Sequence, residues 1–231
     1  MAAVNIGNKI MAIGGGERIT KTPYDNDEIY NPITNSWETF TPMPTPRYAL
    51  TTAEYNGKVY VFGGQQIFGN AAPVNKVEIY DPVTDSWSTR SPMPSAMCEL
   101  AAATCGDKIY VIAGLNYATR YNTLQIYSPG TDSWSVGAPL PKSFSQHAAV
   151  GYGGKVYVFG GMDNSRKRLD TVYIYDPQSD TWSSGESAPT VRSEIAAAVA
   201  GSKIYIFGGV VSDSTQALTI VEVYDPVGDF W

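Results

Sequence analysis

One pattern recurs five times along the 231 residues, and its spacing leaves few folds open. Apolar runs led by lysine begin at Lys9, Lys58, Lys108, Lys155 and Lys203, and each reaches a glycine six residues on, at Gly15, Gly64, Gly114, Gly161 and Gly209. A tyrosine follows at Tyr30, Tyr80, Tyr127, Tyr175 and Tyr224, and a tryptophan stands seven residues after each, at Trp37, Trp87, Trp134, Trp182 and Trp231. From the first four tryptophans, ten residues lead to Arg47, Met97, Phe144 and Arg192, and eleven more reach the next lysine. Self-similarity at a period of roughly 48 residues marks a repeat architecture. Only the glycine-to-tyrosine interval varies, over 15, 16, 13, 14 and 15 residues, so length variation is confined to one loop per repeat.

Each unit has the pattern of four strands. Strand a is an apolar run such as Ala49–Tyr55 or Ile195–Ala200, and a pair such as Asn56-Gly57 or Gly153-Gly154 supplies the positive φ of a tight hairpin. Strand b is the lysine-led run, strand c ends at the tyrosine, and a turn of the type Asp81-Pro82-Val83-Thr84-Asp85 leads to strand d at the tryptophan. A proline-rich stretch such as Pro92-Met93-Pro94 crosses to the next unit. A lone sheet of this length cannot bury both faces, whereas a ring of sheets packs each on its neighbours and shelters the edges. The expectation is one all-β domain over 1–231, a β-propeller of five four-stranded antiparallel blades with repeats near 1–41, 42–91, 92–138, 139–186 and 187–231. The repeated Tyr and Trp are then core residues between blades.

Composition excludes several classes. Net charge is −6 and no segment supplies the clustered Lys and Arg that a nucleic-acid partner would need. Apolar runs such as Ile204–Phe207 stop at glycine after a few residues, so no helical membrane span is expected. Cys98 and Cys105, seven residues apart on one strand, lie roughly 23 Å apart, beyond disulfide reach, and face opposite ways. Two buried thiols fit a reducing compartment such as the cytoplasm, with secretion left open if a leader has been removed.

The Gly-Gly doublet, the spaced tyrosine and the tryptophan seven residues later resemble the kelch motif of kelch-repeat β-propellers, and the turns Asp-Pro-x-Thr-Asp-Ser-Trp look like the microbial type. The match spans the chain, with departures at Met11 and the added Gly16 in the first copy, and at Ala113-Gly114 and Ser128 in the third. The resemblance implies a propeller, usually of six or seven blades, in a family that includes adaptors, carbohydrate-acting enzymes and metal oxidases. Kelch adaptors bind peptides at one channel mouth with arginines, serines and aromatic residues.

Strand order puts the variable b–c loops and the starts of strand a on that same face. The starts of strand a offer Arg47, Tyr48, Glu99, Gln146, His147, Arg192, Ser193 and Glu194, and the loops offer Phe68, Asn70, Asn116, Tyr117 and Arg166, with Arg18 and Asp213 beside them. Arg47 and Arg192 hold equivalent positions. They either present a fork to a ligand carboxylate or phosphate or, the plainer reading, tie carbonyls at the crossing between blades. A local ion pair of Arg192 with Glu194 is a further reading.

Catalysis finds little support. The single histidine, His147, occupies a register that Leu50, Leu100 and Ile195 fill elsewhere. It cannot supply the several imidazoles of a copper oxidase, and a zinc site of Cys and His fails because the thiols point apart. No Gly-x-Ser-x-Gly elbow precedes a helix, and Gly151, Gly153 and Gly154 belong to a hairpin. The expected function is a non-catalytic binding module, without cofactor or metal, that holds a protein segment or glycan at the b–c mouth. One alternative is a metal-independent mutarotase or epimerase of an acidic sugar, with Glu99 and Glu194 as acid and base and the arginines on the sugar carboxylate. A second is a structural arc of a larger kelch propeller. Registering both chain ends on the repeat predicts a ring whose first and last blades meet without a donated strand, one seam held only by side-chain packing. Closure implies a monomer; an open arc would expose apolar faces and self-associate.

Overall fold

The computed structural model describes residues 1–17, 22–24, 27–69, 71–212 and 217–231. Five antiparallel sheets stand in a ring as a five-blade β-propeller. In blade 2, strand a is Thr51–Tyr55, b is Lys58–Phe62, c is Val77–Asp81 and d is Ser86–Arg90, paired in that order. Blades 1, 3 and 4 repeat this order, starting at Ala2–Ile6, Ala101–Cys105 and Ala148–Tyr152. Blade 5 has strands Ala196–Ala200, Lys203–Phe207 and Val221–Tyr224, with the fourth reduced to a bridge between Asp225 and Phe230. The b–c connection of blade 3 is itself a long hairpin, Lys108–Asn116 with Thr119–Ser128, bulged between Ile112 and Gly114.

Alternation along strand b explains why its residues are apolar throughout. In blade 2, Val59 and Val61 join Met11 and Ile13 of blade 1 in one buried cluster, while Tyr60 and Phe62 join Ile109 and Val111 of blade 3 in another. Blades 3 and 4 share a third cluster, and blades 4 and 5 a fourth through Tyr157, Phe159, Ile204 and Ile206. A strand buried on both faces has no polar side.

The glycine doublets serve these interfaces. A Cβ on Gly63 would lie 2.3 Å from the Met97 carbonyl oxygen of the next blade, and the Gly64 N–H donates to that same oxygen at 2.9 Å. Copy three carries Ala113 in place of the first glycine, at φ 49°.

The repeated Tyr, Asp and Trp form a clamp beyond their packing role. Asp85 accepts from the Tyr80 hydroxyl at 2.6 Å and from the Thr41 N–H at 3.0 Å, and the Trp87 indole donates to the Thr41 carbonyl at 2.7 Å. One residue of the crossing from blade 1 is thus held by both backbone polar groups. The same grip recurs on Ser91 by Asp132 and Trp134, on Ala138 by Asp180 and Trp182, and on Glu186 by Asp229 and Trp231.

The fifth interface differs from the seam the spacing predicts. None of the four buried clusters spans blades 5 and 1. Phe207 is 41% exposed, whereas Phe62 and Phe159 in the same register are at 0% and 1%. Ile10 and Trp37 on the facing side of blade 1 are 41% and 55% exposed, and a cleft of about 1050 Å³ opens between the sheets. In blade 1 Asn35 takes the place of the clamp aspartate and accepts from Tyr30, but among the described residues neither Asn35 nor Trp37 holds a crossing. Without that grip, side-chain contact alone does not draw the two faces together.

Two outcomes test this account. Trp134→Ala should cost about 3–5 kcal/mol in urea unfolding, and Trp37→Ala no more than about 0.5 kcal/mol; equal losses would show the fifth interface to be packed after all. Acid supplies the second test. The Tyr80 and Thr41 hydrogen bonds hold Asp85 below its usual value of 3.8, and those from Ala138 and Tyr175 do the same for Asp180. A depressed folded value means stability that is present above the ordinary carboxylate range and lost as pH falls through the folded value. Unfolding midpoints should therefore hold steady down to about pH 5, then drop. An Asp85→Asn, Asp180→Asn variant, which keeps an acceptor oxygen as Asn35 does, should show a shallower drop.

Candidate functional site

The starts of strand a share one backbone device. Ala49, Glu99, Gln146 and Glu194 occupy the same register in blades 2 to 5, and all four adopt left-handed φ, at 52°, 52°, 60° and 57°. That conformation turns their peptide groups along the ring. Glu99 N–H donates to Ala49 O at 2.9 Å, Gln146 N–H to Glu99 O at 3.0 Å, and Glu194 N–H to Gln146 O at 2.8 Å. A girdle of main-chain hydrogen bonds therefore lines the channel mouth and fixes three polar side chains around it.

The mouth encloses about 770 Å³. Of the residues singled out from sequence, Tyr48, Phe68, Glu99, Tyr117, Gln146, His147 and Glu194 line it together. Tyr48 and Phe68 stack at 4.0 Å with their planes 6° apart, and the Tyr48 hydroxyl donates to Ile67 O at 3.1 Å. The added Gly16 makes room for this pair, since a Cβ there would come within 2.7 Å of the Phe68 ring. Tyr117, at the tip of the blade 3 hairpin, is 58% exposed.

His147 sits at the base, only 5% exposed and edge-on to Phe144 at 4.8 Å. Neither ring nitrogen has a hydrogen-bond partner. Burial pushes its pKa down to about 3, so the imidazole is neutral at ordinary pH.

The other candidates stand elsewhere. Arg47 and Arg192 are 0% and 2% exposed and do not line the mouth. Arg47 pairs with Glu78 and also donates to the carbonyls of Thr45 and Val61, while Arg192 pairs with Glu222 and donates to Gly208 O. Arg192 thus finds its carboxylate on strand c of its own blade, and Glu194 is not its partner. The carboxylate-holding role that an acidic-sugar epimerase asks of these arginines is taken by Glu78 and Glu222. Ser193 is buried, and its backbone pairs with Val210. The Asn116 amide donates to Ala96 O at 3.1 Å, and Arg166 is exposed on a turn closed onto Asp163 O. Arg18, Asn70 and Asp213 lie outside the described residues.

Sequence spacing missed Arg120. Its Nε donates to Ser145 Oγ at 3.0 Å, and that hydroxyl donates to Glu99 Oε2 at 2.8 Å. Burial lowers the Arg120 pKa and Glu99 opposes the shift. Reciprocal side chain–backbone bonds tie Asn164 to Arg120 and fix the arginine behind Glu99. The blade 3 hairpin carries Arg120 out of the repeat register, so no alignment of units exposes it. Cys98 and Cys105 are both buried and unpaired, and burial pushes the Cys98 thiol up to about 12. Among the described residues no three His, Cys, Asp or Glu side chains come together as metal ligands.

Five repeated blades, glycine doublets after strand b in four of them and loops gathered at one mouth define a kelch-type β-propeller. The family model of the Attractin/LZTR1 β-propeller matches residues 11–228, and the chain belongs to that family. The solved structure of YjhT is similar, with a TM-score of 0.82 and 18% identity over 95% of this chain and 79% of that one, a likeness of fold. No curated protein matches the chain.

Arg47→Ala should destabilise the fold by about 3–5 kcal/mol, because it strands Glu78 as a buried unpaired charge. Repeat three carries Met97 and Gln125 in the registers of Arg47 and Glu78. Arg47→Met with Glu78→Gln should therefore recover most of the loss in urea unfolding. A stable Arg47→Ala variant would contradict the buried-pair account.

Proposed function

We propose that this chain is a non-catalytic binding module whose b–c mouth holds a protein segment. The observation that carries the reading is the girdle. Backbone bonds fix the starts of strand a in four blades, so side chains from blades 2 to 5 face one open mouth on a rigid frame. Stacked Tyr48 and Phe68 and exposed Tyr117 supply aromatic area of the kind that anchors protein interfaces. Membership of a kelch-type family supports the same choice, since such propellers commonly bind protein partners. A general acid–base role draws no support from the local chemistry. Glu99 is engaged by Ser145, and the lone imidazole is held neutral among apolar neighbours.

Selection of a random-sequence peptide library on the immobilised chain tests this, with a Tyr48→Ala, Phe68→Ala variant as counter-target. Recovered peptides should lose about 2 kcal/mol or more of affinity on the variant, with its unfolding midpoint close to the parent's. A glycan array run in parallel covers the rival. Glycans bound at the mouth with no peptide recovered would overturn the protein-segment reading.

A further inference from the structure

Two carboxylates at the mouth have oxygens to spare. The Glu194 carboxylate is exposed there and makes no ion pair or hydrogen bond among the described residues. Beneath them, Gln146 Oε1 and the His147 ring nitrogens are closed off from solvent, the histidine being 5% exposed. A neutral imidazole carries one lone-pair acceptor and one N–H donor, so it adds no net acceptor character. Glu99 spends one oxygen on the Ser145 hydroxyl and keeps the other.

The nearby cations are committed or set aside. Arg47 and Arg192 are paired inside their blades, and Arg120 is turned onto Ser145 behind Glu99. Arg166 and Lys167 are exposed on the blade 4 loop but do not line the mouth.

A ligand that brought more acceptors would bury this set unpaired, at a cost of about 1–3 kcal/mol for each group. Lysine and arginine carry donors and no acceptor, and each has an apolar stem that can lie along the Tyr48 and Phe68 rings. We propose that the mouth takes a lysine or arginine side chain of the bound protein segment, its cationic head between the carboxylates of Glu99 and Glu194. This rests on the reading of the mouth as a protein-segment site, and it sets the charge of the partner.

The test uses the peptides recovered from the library on the intact chain. They should be enriched in Lys or Arg at one position, and replacing that residue by Gln should weaken binding by about tenfold or more. On a Glu99→Gln, Glu194→Gln variant the same replacement should change binding less than about twofold. Glu194→Gln alone, at an exposed and unpartnered position, should give an intermediate loss and guards against misfolding of the double variant. Enrichment of Asp or Glu, or an equal loss on parent and variant, would overturn the inference. Peptides that depend on Tyr48 and Phe68 but lack the basic residue would leave the protein-segment reading intact and sink this one alone. Failure to recover any peptide would sink both.

Discussion

Blades 2 to 5 each grip a single residue of the chain that enters them, and the rest of the ring depends on that grip. Thr41, Ser91, Ala138 and Glu186 lie on crossings with no sheet partner for their backbone groups, and each gives its N–H to an aspartate and its carbonyl to an indole of the following blade. The aspartate itself sits at left-handed φ, 46° at Asp85 and 48° at Asp132, and the tyrosine hydroxyl holds its oxygen in place. Satisfying two backbone groups at once makes the crossing part of the sheet it joins. Flat sheets would otherwise slide over one another, because apolar faces have no direction. Where the clamp is empty, at blade 1, the apolar faces stand apart although both retain their aromatic and aliphatic residues.

Fixing the crossings also fixes the strands into which they lead. Ten residues beyond each of the first four tryptophans the chain reaches the buried position of Arg47, Met97, Phe144 or Arg192, and two residues later it enters the girdle. Clamp, doublet and girdle all act on main-chain atoms of a neighbouring blade, and none of the clamp side chains lines the mouth. The mouth can then carry different chemistry in each blade on a common frame, with Ala49, Glu99, Gln146 and Glu194 in one register.

Fold was legible in the sequence because packing imposes period and spacing. The lysine-to-glycine and tyrosine-to-tryptophan intervals are fixed because these residues meet equivalent neighbours from blade to blade, and the apolar character of strand b throughout its length follows from two buried faces. Much of the mouth was legible too, as strand order alone gathers Tyr48, Glu99, Gln146, His147 and Glu194 on one face. Partners across a blade were not. Arg47 and Arg192 stand where a ligand-binding arginine would, and only the glutamates two residues before Tyr80 and Tyr224 give them away. The registers pair as Arg with Glu, Met97 with Gln125, Phe144 with Tyr173 and Arg with Glu again, and Phe144 stacks on Tyr173 at 6.0 Å. A slot that holds an ion pair in two blades and two rings in another is a packing slot, in keeping with the near-equivalence of buried ion pairs and apolar substitutes. Arg120 was hidden for the opposite reason, since it lies in the one loop whose length and pairing break the repeat.

Strain separates the girdle from that packing. A left-handed φ costs a residue with a side chain on the order of 1–3 kcal/mol, and glycine takes it freely. The doublets use glycine at Gly63 and Gly64, where the neighbouring carbonyl leaves no room for a Cβ. The clamp accepts the cost with aspartate, whose carboxylate is the gripping group. Ala49 occupies its girdle position with no polar group, so the backbone bonds alone ask nothing of the side chain. Glu99, Gln146 and Glu194 bear the same strain and add polar side chains at the mouth, two of them carboxylates near arginines that are already paired or hydrogen-bonded. Stability favours glycine at these three positions, and the girdle bonds would survive the change. What glycine would remove is the acceptor set, and that is the physical reason to look for this protein's specificity there.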